Sequence, residues 1–126
     1  MVKKVITLPD APKFPFSSAI RAGDYIFVSG QVGHTDAQDR EVTGVEAQVK
    51  QCLENIKRVL AAAGLSLDDV VKVTVFLRNE KDFAKMNEVY QSYFTKDRPA
   101  RSTVIAGLVL PSMLIEMECI AYSPTK

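Results

Sequence analysis

An arginine and a glutamate in the last third of the chain are the side chains best suited to chemistry. Arg101 lies where a loop enters a predicted strand, and Pro99 restricts the path of that loop. A guanidinium held in a fixed orientation can bind a carboxylate through two parallel hydrogen bonds. Glu116 lies within an apolar strand, where loss of water raises the pKa of a carboxyl group and suits it to general acid–base catalysis. The pair therefore predicts a carboxylate grip and a proton-transfer group.

Each of these residues also has a purely structural interpretation. Arg101 could be a solvated arginine at the end of a strand, since exposed arginines are common. Glu116 could be one partner of an interfacial salt bridge, because structural ion pairs also perturb carboxylates. Glu118, two residues further on, is the weaker catalytic candidate. From the residues alone, both interpretations stay open.

Several motifs of catalytic and cofactor-binding proteins are missing from the chain. It contains no P-loop, no G-x-G-x-x-G, no H-E-x-x-H and no G-x-S-x-G. The single histidine, His34, has no partners at zinc-ligand spacing. Cys52 and Cys119 lack C-x-x-C spacing and are predicted to be two buried thiols. We therefore expect no metal site and no thiol chemistry.

Length and charge restrict the remaining possibilities. The chain has 126 residues and 47% apolar content, which fits a single domain over 1–126. Sixteen Lys and Arg against fifteen Asp and Glu leave a formal charge of +1. Nucleic acid and anionic membranes are therefore not expected as partners. The N-terminal residues lack the apolar run of a secretory signal, so we expect the protein in the cytoplasm.

The elements that position Arg101 and Glu116 can be predicted from hydrophobic periodicity. Apolar residues at helical spacing predict a helix over 44–63, with a capping box from Thr43 to Glu46 and a polar face that includes Gln48 meeting water. A second helix is predicted from a cap at Asn79 to about Phe94. Strands are predicted at 2–8, 18–21, 25–32, 70–77, 101–106 and 114–122.

The resulting order, β-β-β-α-β-α-β-β, predicts an α+β domain with a mixed sheet and both helices on one face. In the last strand, Ile115, Met117, Cys119 and Ala121 should face the helices, which leaves Glu116 and Glu118 among apolar residues on the reverse. In the third strand, the inward set is predicted to be residues 26, 28, 30 and 32. A reverse face that mixes apolar and charged residues predicts a homo-oligomer packed through that face, with polar groups in clefts between subunits.

Two segments in the last third of the chain are distinctive, PARSTVIAG at 99–107 and LIEM at 114–117. Further ones are FPFSSAI at 14–20, VSGQ at 28–31, the helix at 48–65, VKVTVFL at 71–77 and FAKMNEVY at 83–90. With these segments the chain closely resembles the RidA (YjgF-type, reactive intermediate deaminase) family. These segments span almost the whole sequence, so the combination is far more specific than any single motif.

Membership of that family implies a chorismate-mutase-like fold in a homotrimer with a central barrel and active sites at the subunit interfaces. It also implies hydrolysis of 2-iminobutanoate and 2-iminopropanoate, which PLP-dependent dehydratases release, to 2-keto acids and ammonia without a cofactor or metal. Arg101 matches the arginine that binds the substrate carboxylate, and Glu116 matches the glutamate that positions water. The other implied substrate-binding residues are Phe16, Ser29, Gly30, Asn87 and Thr103.

Two of those positions depart from many close relatives, which have Cys where this chain has Thr103 and Tyr where it has Phe16. Water can attack the imine without a thiol, so we expect activity with an altered rate or substrate range. Two other functions remain open. One is a regulatory module that binds small carboxylates such as 2-keto acids, for which Glu116 would bring no benefit. The other is an endoribonuclease or translation inhibitor, which the near-neutral charge disfavours.

Overall fold

Six strands form one mixed sheet, and two helices cover one of its faces. The computed structural model describes residues 2–9 and 13–124. The elements are β1 (Lys4–Ile6), β2 (Ala19–Ala22), β3 (Tyr25–Val32), α1 (Val45–Ala62), β4 (Val70–Leu77), α2 (Phe83–Tyr93), β5 (Ala100–Ile105) and β6 (Ile115–Tyr122). Two 3-10 turns, Leu67–Asp69 and Glu80–Asp82, precede β4 and α2. The predicted element order and α+β class are confirmed.

The strands lie in the order β1-β2-β3-β6-β4-β5, so β5 is an edge strand. All neighbours are antiparallel except β4 and β5, which run parallel. A parallel pair needs a crossover connection, and α2 provides it. The same crossover places α2 over the edge of the sheet that β5 forms.

Both predicted side-chain caps are absent. Gly44, rather than Thr43, is the N-cap residue of α1, and no side chain caps that end. Asn79 precedes the 3-10 turn, and its side chain makes no capping bond there. A capping pattern reflects only a few neighbouring residues. At Gly44 the backbone has a positive φ of 85°, and the Thr43 side chain does not cap the helix. At the other end, Gly64 adopts φ 77° directly after α1, where glycine is favoured.

The prediction that Gln48 meets water was wrong. Its side chain is 2% exposed and lies between α1 and the loop that joins β5 to β6. Nε2 donates to the carbonyl oxygens of Val42 at 3.0 Å and Ser112 at 2.8 Å, and Oε1 accepts from the Leu114 N–H at 2.9 Å. Gln48 is therefore a buried structural bridge, because all of its hydrogen-bonding partners belong to the protein.

The predicted alternation of β6 is confirmed, whereas that of β3 is correct only as far as Val28. Two residues of β3, Ser29 and Gly30, stand opposite one residue of β6, so the strand contains a β-bulge. Beyond the bulge the faces exchange: Gln31 pairs with buried Met117, and Val32 pairs with Glu116. Residues 30 and 32 therefore do not face the helices as predicted.

The face of the sheet away from the helices is called here the open face. It is apolar over much of its area and carries a few polar side chains, and its residues include Val5, Ile20, Tyr25, Phe27, Val32, Lys72, Thr74, Phe76, Ser102, Val104, Glu116, Glu118, Ile120 and Tyr122. Neither described helix is long and apolar enough to span a membrane. The open face is a large surface, apolar over much of its area, that neither helix of the described residues covers.

Candidate functional site

Arg101 lies at the edge of the sheet, on the face that the helices cover. In the parallel pairing of β4 and β5 it stands beside Val73, which is 1% exposed in the core. Paired residues project to the same side of a sheet, so the Arg101 side chain projects toward α2. It is half-buried there. The strand entrance predicted from the sequence is confirmed, and the structure adds the direction in which the guanidinium points.

Three side chains of α2 surround that guanidinium. Its central carbon lies 4.7 Å from the ring centroid of Tyr90 and 5.8 Å from that of Phe83, within the range of cation–π attraction. One terminal nitrogen lies 3.8 Å from the sulfur of Met86. Among the described residues no carboxylate pairs with Arg101. Most of its N–H donors are therefore free to bind an anion that arrives from outside.

Asn87 and Thr103 lie on the same side of the molecule as Arg101. Asn87 follows Met86 on α2 and, by helical spacing, is a surface neighbour of Phe83 and Tyr90. Thr103 stands beside fully buried Val75 in the pairing of β4 and β5, so it faces α2 as Arg101 does. Both are half-buried. We call Asn87, Arg101 and Thr103 the arginine half-site.

Glu116 projects from the open face, where it lies against the backbone of Gly30. It pairs with Val32 on one side and with Phe76 on the other, between the buried residues Ile115 and Met117. A Cβ atom at position 30 would collide with the carboxylate of Glu116. Glycine at the bulge therefore leaves room for the Glu116 carboxylate, which a side chain at position 30 would displace.

Ser29 and Phe16 complete this second group. The Ser29 hydroxyl donates to the Ser17 carbonyl oxygen at 2.6 Å, and its N–H donates to the Ser18 carbonyl oxygen at 3.0 Å. These bonds hold the segment that carries Phe16 beside the bulge. The Phe16 ring is 60% exposed and stacks on Phe14 at 5.2 Å with an interplanar angle of 5°. We call Phe16, Ser29, Gly30 and Glu116 the glutamate half-site.

The surroundings of Glu116 raise the pKa of its carboxyl group. Loss of water on partial burial is the larger cause, and the neighbouring carboxylate of Glu118 is the smaller one. No cation among the described residues forms an ion pair with Glu116. A carboxyl group in this state accepts and returns protons closer to neutral pH than a solvated glutamate does.

The two half-sites do not meet within one chain. Arg101 and Glu116 project from opposite faces, and β4 lies between their strands. Arg101 pairs with Val73 on β4, and Val73 pairs with Cys119 on β6. Cys119 is three residues along β6 from Glu116. Strand spacing and rise place their Cα atoms about 14 Å apart. A single subunit therefore presents both groups, but cannot apply both to one small molecule.

The remaining candidate groups show no organised site. Cys52 and Cys119 are buried free thiols, as predicted, and burial raises the pKa of each, that of Cys119 to about 12. The Cys52 thiol donates to the Gln31 carbonyl oxygen at 3.0 Å. No group of three or more His, Cys, Asp or Glu side chains in the described ranges is placed to hold a metal ion. An open surface pocket of about 510 Å³ between α1 and α2 includes neither half-site.

Sequence reasoning missed the residues that fix the loop between the two candidate strands. This loop, 106–114, joins β5 with Arg101 to β6 with Glu116. The Arg78 guanidinium donates to the carbonyl oxygens of Met113 at 2.7 Å, Leu110 at 2.8 Å and Leu108 at 3.3 Å. Gln48 binds the same loop from α1. A polar residue next to an apolar run gave no signal of this role, because such carbonyl partners are set only by the tertiary fold.

Comparison with known proteins agrees with this architecture. The family model described as Endoribonuclease L-PSP matches residues 8–123. A RutC family protein of Pyrococcus horikoshii is 48% identical over 124 residues, covering 96% of this chain and 98% of that protein. The chain belongs to the RidA family, for which YjgF and L-PSP are alternative names.

Other members of the RidA family have more specific names. A protein of Dermatophagoides farinae named 2-iminobutanoate/2-iminopropanoate deaminase is 36% identical over 121 residues, with 94% of each chain covered. The crystal structure of E. coli TdcF with bound serine superimposes with a TM-score of 0.84 at 34% identity, covering 94% of this chain and 98% of that one. The RidA fold, a mixed sheet with two helices on one face, is thus shared along nearly the whole chain.

Proposed function

We propose that this RidA family member hydrolyses 2-imino acids such as 2-iminobutanoate and 2-iminopropanoate to 2-keto acids and ammonia. The observation that carries the proposal is the half-buried guanidinium of Arg101, which has N–H donors free and no carboxylate partner among the described residues. A 2-imino acid has the carboxylate that such a group binds. The deaminase name of the Dermatophagoides farinae relative and the serine bound to TdcF agree with a small amino-acid-like substrate.

Glu116 supplies the proton transfers in this mechanism. Its carboxylate accepts a proton from a water molecule as the water oxygen bonds to the C=N carbon, and Glu116 passes that proton to the imine nitrogen. The resulting tetrahedral carbinolamine then collapses: Glu116 takes its hydroxyl proton and delivers it to the nitrogen as the C–N bond breaks, so the nitrogen leaves as ammonia. The products are one 2-keto acid and one ammonia. The raised pKa of Glu116 suits both steps, because one group must act as base and then as acid.

The separation of the half-sites leads us to propose that the complete site lies between subunits of a homotrimer. The arginine half-site lies at the sheet edge near α2, and the glutamate half-site lies on the open face. A neighbouring chain whose edge packs on the open face would bring one of each together and cover exposed Tyr25, Phe27 and Tyr122. The trimeric number and the barrel come from the family resemblance, and cytoplasmic location remains a prediction from the sequence.

The first test follows 2-iminobutanoate made in situ by a threonine dehydratase, with semicarbazide competing for the imine. We expect the wild type to divert imine into 2-ketobutanoate faster than buffer does. Arg101→Ala should lower kcat/KM about a hundredfold, because a charge-assisted pair contributes roughly 2–3 kcal/mol. Arg101→Lys is the matched control: it keeps the charge and loses the planar fork, so its loss should be intermediate. Glu116→Gln should lower kcat with a smaller effect on KM.

The alternatives give different results in the same series. If the wild type never exceeds buffer, yet binds 2-ketobutanoate in a manner that depends on Arg101, the protein is a carboxylate-binding module. The matching family model is described as an endoribonuclease. If that is the function of this chain, it should cleave RNA, and the cleavage should persist in Arg101→Ala and Glu116→Gln. The formal charge of +1 makes RNA a poor ligand for this surface.

A further inference from the structure

The guanidinium of Arg101 lies in a pocket made by one helix. Phe83, Met86 and Tyr90 are spaced three and four residues apart on α2, so they form one stripe along its surface. The parallel pairing of Arg101 with Val73 directs its side chain to that stripe. Since β5 is an edge strand, no further strand of residues 2–9 and 13–124 shields the guanidinium on its outer side.

We infer that Tyr90, assisted by Phe83, is a positioning residue that holds the Arg101 guanidinium ready for the substrate carboxylate. The Tyr90 ring lies 4.7 Å from the guanidinium carbon and covers it from the core side. Phe83 lies further away, at 5.8 Å. The inference rests on the proposed function, in which Arg101 binds a carboxylate.

The contact with Tyr90 uses none of the N–H donors of the guanidinium as hydrogen bonds. A cation–π contact is an attraction to the face of the ring, whereas a carboxylate binds through two N–H groups. The Tyr90 ring therefore does not compete with the substrate. It restricts the rotamers that a free arginine side chain samples, so less conformational entropy is lost when the carboxylate binds.

The ring of Tyr90, rather than its hydroxyl, performs this task. The residue is 6% exposed, and its hydroxyl oxygen is buried with no hydrogen-bond partner among the described residues. Within the described residues, the hydroxyl thus makes no hydrogen bond through which it could orient Arg101. Phe94, at the C-terminal end of α2, packs on the Tyr90 ring at a centroid distance of 4.7 Å and helps to hold it in place.

The test compares Tyr90→Phe with Tyr90→Leu. We expect Tyr90→Phe to retain the wild-type KM for the imine and the wild-type Kd for 2-ketobutanoate. Tyr90→Leu should raise both about tenfold with a smaller change in kcat, because a poorly held arginine weakens ground-state and transition-state binding alike. Phe83→Leu should raise both by a few fold. Phe83 is 45% exposed, so this variant keeps the inference testable if Tyr90→Leu does not fold.

The outcomes separate this inference from the proposed function. If KM and Kd stay at wild-type values in Tyr90→Leu and Phe83→Leu, while only the Tm falls, Tyr90 is merely a core residue and the inference is wrong. If Tyr90→Phe raises KM as much as Tyr90→Leu does, the hydroxyl acts and the ring-stacking account is wrong. If the wild type fails to hydrolyse imine, but Tyr90→Leu still weakens 2-ketobutanoate binding, the deaminase proposal fails and the positioning role stands.

Discussion

Partial burial, and to a smaller extent the neighbouring Glu118, makes the carboxyl group of Glu116 less acidic. Burial and the Glu118 carboxylate both raise the pKa of Glu116. A general base must be ionised to act, so enzyme activity should rise with pH as Glu116 loses its proton, above the ordinary range of a glutamate. A neutral residue at position 118 would leave Glu116 equally buried and remove the repulsion between the two carboxylates.

We predict that Glu118→Gln moves the acid limb of the kcat/KM profile toward lower pH. Less repulsion lowers the pKa of Glu116, so the ionised base persists in more acidic solution. The measurement is the enzymatic rate of imine hydrolysis at each pH after subtraction of the buffer rate. Glu46→Gln is the matched control, since it removes one exposed carboxylate in the first turn of α1 that has no part in the shift. An acid limb that stays fixed in Glu118→Gln would refute the coupling.

At the level of single residues, the sequence predicted which side chains to examine but not how they are arranged. Residue type and an apolar context were enough to select Arg101 and Glu116. That they project from opposite faces depends on the pairing of β5 with β4 and of β6 with β3. The contact of Gly30 with the Glu116 carboxylate also depends on the bulge, for which a single sequence has no clear pattern.

Among the elements, the loop 106–114 depends on side chains from outside itself. Only one backbone hydrogen bond is internal to it, from the Met113 N–H to the Leu110 carbonyl oxygen. The side chains of Gln48 and Arg78 bind it from outside, and the backbone of Leu77 and Arg78 bonds to its two ends. The loop connects the strands of both half-sites, so its anchoring helps fix where each strand begins and ends.

We predict that Gln48→Leu destabilises the protein by about 1–3 kcal/mol, because three hydrogen bonds around a side chain that is 2% exposed are lost, those to the Val42 and Ser112 carbonyl groups and from the Leu114 N–H. Denaturant unfolding at one fixed protein concentration measures the change. Gln51→Leu is the control on the same helix, since Gln51 bonds only to the side chain of Asn55. Equal losses in the two variants would show that the Gln48 bridge adds nothing.

The elements themselves were predicted well because each has a strong periodic pattern. The bounds of β3 and β4 match the prediction, and α1 differs by one residue at each end. The errors fall where local patterns compete with tertiary contacts. Gln48 sits beside the apolar stripe of α1, where a helical pattern cannot distinguish a solvated amide from one bonded to a distant loop. The predicted cap at Thr43 was wrong because Gly44, with a positive φ, is the N-cap residue of α1.

At the scale of the whole molecule, the two faces of the sheet differ in what covers them. The helices bury one face, and the open face leaves Tyr25, Phe27 and Tyr122 at 45%, 46% and 43% exposure. The uneven side-chain pattern of β6 predicted such a surface from the sequence. The number of subunits in the proposed oligomer could not follow from that pattern, because an apolar face favours a partner without indicating how many copies assemble.

Placement of the half-sites on opposite faces predicts complementation between two inactive variants. In a mixed oligomer, an Arg101→Ala chain still supplies Glu116, and a Glu116→Gln chain still supplies Arg101. Equal amounts of the two, unfolded and refolded together, should recover about one quarter of the wild-type activity, since random assortment gives each interface an intact pair with that frequency in any closed ring.

The controls for this prediction are each variant refolded alone and the two refolded separately before mixing, all assayed for 2-iminobutanoate hydrolysis. Both should stay at the level of the inactive variants, because their interfaces never combine an intact Arg101 with an intact Glu116. Recovery only after joint refolding would place the two side chains of one site on different chains, as their separation within the subunit requires. No recovery, alongside mixed oligomers detected by native mass spectrometry, would mean that Arg101 and Glu116 of different chains do not act in one site, and the intersubunit proposal would be wrong.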